Sequence, residues 1–435
     1  MRTQFVTTTF GVRAWCLTAA AVMLSVAAQA RDLSLPESKP ESLGFSSERL
    51  KRLEAGLKAP VDSKQLAGIT TVVARRGQIV QEMTYGKADI AANKPMQMDT
   101  ILRIYSMTKP VTGAAMMMLY EEGKWKPSDP ISRHIPEFKD LKVYGADGQL
   151  EASKHAPTMG ELMSHTAGFT YGFFGNSAVD KLYQQANPLA AESLQEFVER
   201  MAKLPLVYQP GEGWAYSVGV DIQGYLVEKL SGKPFPDFLR ERLFEPLGMK
   251  DTAFYVPKEK MARLGSIYNW SAEGLTAMPH DPGVNAPPKL HSGGGGLYST
   301  TADYLRFVQM LANKGSLDGK RLLAPSTVEL MTSNQVPDAV KEQRKFGIGA
   351  SFRAQPGFGF GFDVAILEEP SRLGSSAGAG TYFWDGLAGT WFWIDPTNDV
   401  VFLAMIQIRG GPAGVPNLED LSRQLTFQAL VEPAK

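Results

Sequence analysis

The feature that most constrains this chain is an apolar stretch, Thr100 to Tyr120, in which a lysine follows a serine three positions later. Its small and apolar residues leave almost no polar face, so the pattern predicts a helix that is buried on nearly all sides. Ser106 and Lys109 would project from the same face of that helix, about one turn apart. Pro110 is tolerated only near the first turn of a helix, so we expect the helix to begin close to Ser106.

The serine–lysine pair suits nucleophilic catalysis. A serine hydroxyl is a poor nucleophile at neutral pH until a neighbouring base takes its proton. A lysine can be that base when burial lowers its pKa, and the N–H groups at the start of a helix favour a developing oxyanion. A bare Ser-x-x-Lys match arises by chance roughly once or twice in a chain like this one. The predicted buried helix, rather than the tetrapeptide, therefore makes Ser106 and Lys109 catalytic candidates.

Overall composition excludes some classes of partner. The 435 residues are 44% hydrophobic and 21% charged, which is typical of a globular protein of one large domain or a few smaller ones. Basic and acidic residues number 45 each, so the formal net charge is zero. Nothing in this balance indicates binding to nucleic acid or to an anionic membrane surface.

The first thirty residues have the pattern of a secretory signal peptide. Arg2 and Arg13 precede an apolar run at 14–27, and Ala28-Gln29-Ala30 has the small-x-small form of a cleavage site. We predict cleavage near Ala30 and a periplasmic or secreted protein. Cleavage would remove Cys16, the only cysteine, which leaves a mature chain without disulfides or a thiol nucleophile. No later segment is long and apolar enough to serve as a membrane anchor.

Strand patterns occur at both ends of the mature chain, and helix patterns fill the middle. The predicted strands are Ile69–Ala74, Ile79–Tyr85, Phe346–Phe352, Gly359–Leu367, Gly380–Trp384, Thr390–Ile394 and Val400–Ile408. The predicted helices follow Ser46, Thr158 and Ser193 and cover Asp221–Leu230, Phe235–Leu243, Ala302–Leu311 and Leu418–Leu430. We predict an α+β fold with one catalytic domain, 31–435. Its antiparallel sheet would come from about 31–100 and 290–435, with a helical lobe at about 101–289.

A second catalytic candidate is Tyr216, in the glycine-bounded stretch 211–218 just before a predicted helix. A tyrosine at such a helix entrance could place its phenol beside Ser106 and Lys109 and relay a proton to a leaving group. The alternative is a tyrosine packed by its ring, with the hydroxyl satisfied locally.

Three other patterns have simpler explanations. Ser376 lies in a G-x-S-x-G match, but the strand before it and the helix after it that a nucleophile elbow requires are missing. Gly293–Gly296 matches no phosphate-binding motif and reads as a tight connection. The histidines lack zinc spacing, so we expect no metal and no cofactor. His165 is the best candidate for a Ser–His–Asp triad, although a structural hydrogen-bonding role is favoured.

Five spaced motifs occur together in a recognisable order. They are Arg103–Pro110, Leu162–Gly168, Tyr216-Ser217, Ser292–Leu297 and Trp384-Asp385-Gly386. Over nearly the whole mature chain they resemble the class C β-lactamase-like serine hydrolases, which include penicillin-binding D,D-peptidases, D-aminopeptidases and family VIII carboxylesterases. The resemblance implies a β-lactamase/D,D-peptidase-like fold: an antiparallel sheet flanked by helices, an all-helical lobe, and an active site between the two.

The resemblance also implies roles for individual residues. Ser106 would be the acylated nucleophile, and Lys109 and Tyr216 would share the general-base and general-acid work. The backbone N–H groups of Ser106 and Leu387 would be the oxyanion donors, which typically stabilise a tetrahedral intermediate by several kcal/mol. The strand at Trp384-Asp385-Gly386 would form the far wall of the site.

Two departures from the β-lactamase pattern favour an ester substrate. Val218 stands where those enzymes usually have asparagine, and Trp384 replaces the lysine that faces the substrate carboxylate. The family VIII esterases look similar to this chain at both places. An aromatic-lined cleft would favour a neutral, apolar acyl or aryl group. The aromatic residues that could line it, unless most of them are core, are Tyr105, Phe169, Tyr171, Phe173, Phe174 and Trp384.

Three functions remain open from the sequence. The first is an exported hydrolase that cleaves carboxylic esters through a Ser106 acyl-enzyme. The second keeps the same machinery for an amide: a β-lactam, a D-amino-acid peptide or another small peptide. The third is a penicillin-binding or sensor protein that is acylated slowly and does not turn over.

Overall fold

The computed structural model describes residues 1, 33, 35–145, 147–342, 357–410 and 417–433. Residues 2–30 of the predicted signal peptide, with its cleavage site and Cys16, and the predicted strand Phe346–Phe352 lie outside these residues.

Within the described residues, strands from both ends of the chain form one antiparallel sheet, as predicted, and it has eight strands. The strands of the structure are β1 (Gly68–Arg75), β2 (Gln78–Asp89), β3 (Lys94–Pro95), β4 (Leu102–Arg103), β5 (Lys142–Tyr144), β6 (Leu150–Ala152), β7 (Tyr268–Ser271), β8 (Gly274–Ala277), β9 (Tyr298–Ser299), β10 (Ser316–Leu317), β11 (Lys320–Arg321), β12 (Phe358–Phe360), β13 (Ala365–Leu367), β14 (Thr381–Asp385), β15 (Trp391–Asp395), β16 (Val400–Met405) and β17 (Ile408–Arg409). The large sheet has the order β12-β13-β14-β15-β16-β1-β2-β3, so β16 and β1 join its two halves.

Helices make up most of the middle of the chain and both flanks of the sheet. They are α1 (Ser47–Asp62), α2 (Thr108–Glu121), α3 (Met159–Met163), α4 (Ala178–Ala186), α5 (Leu194–Met201), α6 (Gly219–Ser231), α7 (Phe235–Leu239), α8 (Glu245–Leu247), α9 (Thr301–Ala312), α10 (Pro325–Met331), α11 (Asp338–Glu342) and α12 (Leu418–Ala429). The middle also holds two short hairpins, β5–β6 and β7–β8. Across the described ranges, we find no helix with the length and apolar character needed to cross a membrane.

Helix ends follow the capping residues that the sequence predicts. Ser46 caps α1, and Thr158 forms a reciprocal capping box with Glu161. At α5 the box is only half formed: Ser193 accepts from the backbone N–H of Glu196, but the Glu196 carboxylate accepts from the N–H of residue 192 instead. The predicted helix at Phe235–Leu243 is interrupted, because a π-helical turn at Arg240–Phe244 links α7 to α8.

Two predicted strands are broken in the structure. The pattern at Gly359–Leu367 predicts one strand, but Asp363 has a φ of 62° and separates β12 from β13. A left-handed residue cannot continue an extended strand, and alternation alone does not reveal it. Likewise, the strand predicted over Val400–Ile408 ends at Met405, and β17 pairs in parallel with β7.

The sheet is covered on both faces, as the alternation of β15 shows. Trp391 and Trp393 donate their indole N–H groups to Ser422 Oγ of α12, at 3.2 and 3.1 Å. Phe392, between them, points to the opposite face and contacts Tyr304 of α9, with ring centroids 5.8 Å apart. The sheet is therefore the middle layer between α12, which packs with α1, and α9.

Helix α2 lies in the interior, as its sequence predicts. Every residue from Thr108 to Leu119 is buried, and α2 packs against α6 of the helical lobe. A helix without a solvent face cannot rotate or slide without opening the core on every side. The residues at its first turn are therefore held in a fixed position.

Substitution of Trp393 tests how much the core between the sheet and α12 contributes to the stability of the fold. The Trp393 side chain is fully buried and stacks against Phe402 and Phe427 at 5.3 and 5.4 Å. We expect Trp393→Ala to lower the free energy of unfolding by about 3–5 kcal/mol in urea denaturation, because it leaves a large cavity. Leu150→Ala, at a side chain that is 59% exposed, should stay within about 0.5 kcal/mol of wild type. Equal effects of the two variants would contradict this account of the core.

Candidate active site

The serine lies at a constrained turn at the start of α2. A short 3₁₀ turn, Tyr105–Met107, precedes the helix, and Tyr105 has a φ of 42°. A bulky residue in the left-handed region is uncommon and is held there only by its surroundings. Gly386, just after β14, helps hold it, because a Cβ there would lie only 2.3 Å from the carbonyl oxygen of Ile104. The end of β14 thus packs directly against the turn that carries Ser106.

The amine of Lys109 is surrounded by oxygen atoms in the interior. The side chain is fully buried. Its Nζ lies 3.4 Å from Ser106 Oγ, 2.9 Å from Tyr171 Oη and 2.7 Å from the carbonyl oxygen of Gly294. It also lies 4.5 Å from the ring centroid of Tyr216. The structure therefore brings the three predicted catalytic side chains, at 106, 109 and 216, into one cluster.

Burial favours the neutral form of the Lys109 amine over the charged form. Loss of hydration lowers the pKa of Lys109 from its usual value near 10.5 to about 7, although the carboxylates of Asp221 and Asp363 act in the opposite direction. An amine with a pKa near 7 is unprotonated in a large fraction of molecules at neutral pH. It can then accept the proton of the Ser106 hydroxyl.

Tyr171 takes a position beside Lys109 that sequence reasoning missed. The aromatic stretch 169–174 predicts a wall of a substrate cleft, and Tyr171 does line the cavity. Its hydroxyl is in addition a hydrogen-bond partner of the lysine amine, and burial raises the pKa of this phenol well above its usual value. The phenol is therefore neutral. No spacing rule links positions 62 residues apart, so only the fold reveals this contact.

Tyr216 is buried, with 6% of its surface exposed, and lies within an aromatic cluster. Its ring centroid lies 5.3 Å from that of Tyr171 and 5.6 Å from that of Trp384. The ring is therefore held by aromatic contacts beside the amine of Lys109, and a catalytic role for its hydroxyl stays a prediction.

A cavity of about 510 Å³ opens in front of the serine. Its lining residues are Arg103, Tyr105, Ser106, Tyr171, Phe173, Phe174, Leu189, Tyr216, Leu290, Ser292, Gly295, Trp384, Asp385 and Leu387. Both residues predicted to supply the oxyanion donors, Ser106 and Leu387, are among them. This volume accommodates a small ligand, and most of its wall is aromatic or aliphatic.

Two residues predicted to bind substrate lie elsewhere. Phe169 is 1% exposed and packs in the core against Phe138, with ring centroids 5.7 Å apart, so it does not line the cavity. Gly386 supports the serine turn and borders a neighbouring cavity instead. Hydrophobic aromatic residues are equally suited to a core and to a cleft, which is why sequence alone assigns Phe169 wrongly.

The remaining candidates have structural surroundings. His165 Nδ1 lies 3.0 Å from Ser217 Oγ, and burial lowers the pKa of this imidazole well below its usual value, so it is neutral. Ser376 follows a 3₁₀ turn, Pro370–Leu373, and precedes strand β14, so the surroundings of a nucleophile elbow are absent. Among the described residues, no group of three histidine, cysteine or acidic side chains could hold a metal ion.

A covered antiparallel sheet, a mainly helical lobe and a serine–lysine pair at the start of a buried helix together define a β-lactamase-type serine hydrolase. Comparison with known families agrees: residues 51–426 match the family described as Beta-lactamase. The chain belongs to the beta-lactamase family.

Individual relatives include proteins named as esterases. Protein Rv1367c of Mycobacterium tuberculosis (strain ATCC 25618 / H37Rv) is 36% identical over 364 residues, which cover 81% of this chain and 89% of that protein. Esterase EstB of Burkholderia gladioli is 31% identical over 362 residues, covering 78% and 86%. Among solved structures, that of EstCE1, a hydrolase with promiscuous acyltransferase activity, superposes with a TM-score of 0.74 at 24% identity. It covers 87% of this chain and 98% of that one.

Substitution of Gly294 tests whether the close packing around Lys109 is needed for the reactivity of Ser106. A Cβ there would lie 2.5 Å from Tyr171 Oη and 2.6 Å from Asp221 Oδ2, whereas at Gly295 the nearest atom would be 3.9 Å away. We expect Gly294→Ala to slow labelling of the protein by a fluorophosphonate serine probe about ten- to a hundredfold, because the lysine's surroundings must shift. Gly295→Ala, the adjacent control, should retain most of the labelling rate. Equal rates for both variants would show that this packing does not matter.

Proposed function

We propose that this protein is an exported serine hydrolase that cleaves carboxylic esters with a neutral, apolar acyl or aryl group. The observation that carries the proposal is the buried amine of Lys109, 3.4 Å from the Ser106 hydroxyl. Export rests on the signal-peptide pattern at 1–30. The preference for esters rests on the apolar wall that Trp384 provides where a lysine would face a substrate carboxylate.

The arrangement supports acylation followed by deacylation. Neutral Lys109 takes the proton of Ser106 as Oγ attacks the ester carbonyl, and backbone N–H groups of Ser106 and Leu387 bind the resulting oxyanion. The C–O bond to the alcohol then breaks, and the departing alkoxide takes a proton from Tyr216, which is restored from the lysine ammonium. A water molecule attacks the acyl-enzyme in the second half, releasing the acid and the free serine.

Tyr171 has a supporting role in this scheme. Its neutral phenol and the Gly294 carbonyl both contact the lysine amine, so they orient the lone pair of Lys109 toward Ser106. A lysine side chain has four rotatable bonds, and fixing it in one conformation removes most of the entropic cost from the reaction step.

Hydrolysis of an amide is the second candidate function, because the family is named for an amide-cleaving activity. The catalytic cluster could serve both substrate types. What favours the ester is the apolar far wall and the likeness to a protein named as an esterase. A slowly acylated sensor would use the same serine–lysine pair for acylation and would differ in the deacylation step.

Replacing the nucleophile is the direct test. We expect Ser106→Ala to lower hydrolysis of short-chain nitrophenyl esters by at least about 10⁴-fold in steady-state assays, because the variant lacks the hydroxyl that is proposed to accept the acyl group. Ser376→Ala is the matched control. It alters the serine of the G-x-S-x-G match that lacks the surroundings of a nucleophile elbow, and it should keep wild-type rates.

Substrate class is decided on the same proteins. A panel of nitrophenyl esters, a chromogenic cephalosporin and D-alanyl peptides should show the highest kcat/KM for esters. A peptide or lactam turned over faster would favour the amide function. A lasting adduct in mass spectrometry without steady-state product would favour the sensor, and unchanged ester rates in the Ser106 variant would refute the mechanism.

The rate should depend on pH through Lys109. Because the lysine must be neutral in the free enzyme, we expect kcat/KM for a neutral ester to rise with pH and level off above an apparent pKa near 7. Lys109→Arg should abolish that activity, since an arginine stays protonated throughout this range. The range from pH 5 to 9 extends roughly two pH units below and above the lysine pKa. A rate that is constant over this range would contradict Lys109 as the base.

A further inference from the structure

A buried acid next to the catalytic cluster has no part in the mechanism above. Asp221 lies in the first turn of α6 and is fully buried. Its Oδ1 accepts hydrogen bonds from Ser292 Oγ and, at 3.1 Å, from the backbone N–H of Gly294. Burying a carboxylate is costly, and a simple helix start does not need one in the interior. This residue is therefore a candidate for a specific role.

The same glycine links Asp221 to the lysine. Gly294 gives its N–H to the carboxylate and receives a hydrogen bond on its carbonyl oxygen from Lys109 Nζ at 2.7 Å. We propose that Asp221 is a positioning residue that fixes Gly294 and thereby aims the amine of Lys109 at Ser106. The inference rests on the proposed function, and it assigns no contact between Asp221 and the substrate.

The loop Gly293–Gly296 packs closely against the start of α6. A Cβ at Gly293 would lie 2.4 Å from the carbonyl oxygen of Val220, and one at Gly294 would lie 2.6 Å from Asp221 Oδ2. Only glycine allows this approach, so the loop packs directly against the start of the helix. The partial positive charge at the N-terminal turn of α6 also favours a carboxylate at this position.

Charge supplies a second connection between Asp221 and the lysine. The groups that face Lys109 are Ser106 on its own segment, Asp221 on α6, Asp363 before β13, and Tyr171, Tyr216 and His165 from loops of the helical lobe. Burial keeps the Tyr171 phenol and the His165 imidazole neutral, and the mechanism proposed above starts with the Tyr216 hydroxyl protonated. Among the described residues that face the amine, the two acids are the ones that can carry a negative charge, and each raises the pKa of Lys109 against the effect of burial when it is ionised.

The two acids differ in their surroundings. Asp221 has two donors on one oxygen, and these hydrogen bonds oppose the rise in its pKa that burial causes. Asp363 receives one bond, from Gln223 Nε2 at 3.1 Å, and Oδ2 of both acids has no hydrogen-bond partner within the described part of the chain. Burial raises the pKa of Asp363 well above its usual value, which favours the neutral acid. Asp363 is therefore a matched control: an equally buried acid near the same lysine.

The test compares kcat, KM and the pH profile of ester hydrolysis for Asp221→Asn, Asp363→Asn and Ser292→Ala. For Asp221→Asn we expect kcat to fall about ten- to a hundredfold with little change in KM, because the amine loses its alignment. The acid limb of its profile, meaning the fall in rate at low pH, should move to lower pH. The reason is that loss of a negative charge next to Lys109 lowers the pKa of the amine. Asp363→Asn should move the limb less. Ser292→Ala, which keeps the Asp221 carboxyl group and its bond to Gly294, should lower kcat modestly and move the limb less than Asp221→Asn does.

Several results would overturn the proposal. One is an Asp221→Asn enzyme with wild-type kcat and an unmoved acid limb. Another is a limb displaced as far in Asp363→Asn or Ser292→Ala as in Asp221→Asn. If the asparagine variant folds poorly, the rate of fluorophosphonate labelling of its folded fraction at each pH gives the same limb. Wild-type ester hydrolysis that requires Ser106 would survive any of these results, so failure here is distinct from failure of the proposed function.

Discussion

A lysine amine held away from water is the constraint on which the rest of the site depends. Lys109 is fully buried, and its Nζ is surrounded by Ser106 Oγ, Tyr171 Oη and the Gly294 carbonyl oxygen. Burial of an ammonium is unfavourable, so the protein lowers the cost by releasing the proton. The same desolvation that would destabilise a charged lysine thus favours the neutral amine that we propose as the base for Ser106.

Holding that amine dry requires parts of the chain that are far apart in sequence. Helix α2 brings Ser106 and Lys109, α6 and the loops before it bring Tyr216 and Asp221, and the end of β14 closes the serine turn through Gly386. The pairing of β1 with β16 joins the two ends of the chain in one sheet. The sheet therefore acts as a frame, and its completion positions the far wall of the cavity against the helical lobe.

Local patterns made much of this predictable. The buried α2, the β1–β2 hairpin and the cap at Ser46 follow from apolar spacing, turn residues and capping chemistry, which act over a few residues. The break at Asp363 was not predictable, because its left-handed backbone arises from packing rather than from its neighbours in sequence. Contacts such as Tyr171 with Lys109 join residues 62 positions apart, and no periodicity encodes them. Phe169 shows the same limit, since its hydrophobicity fits either the core or the cleft.

The two buried acids near Lys109 are consistent with the proposed role of this lysine as a base. Burial alone would continue to lower its pKa, and an amine with a very low pKa is unprotonated but a weak proton acceptor. A nearby carboxylate acts in the opposite direction and keeps the pKa of Lys109 at about 7, close to the pH at which the protein would work. In Asp221 the fold combines this charge with a hydrogen bond to Gly294, so one side chain adjusts both the strength of the base and its direction.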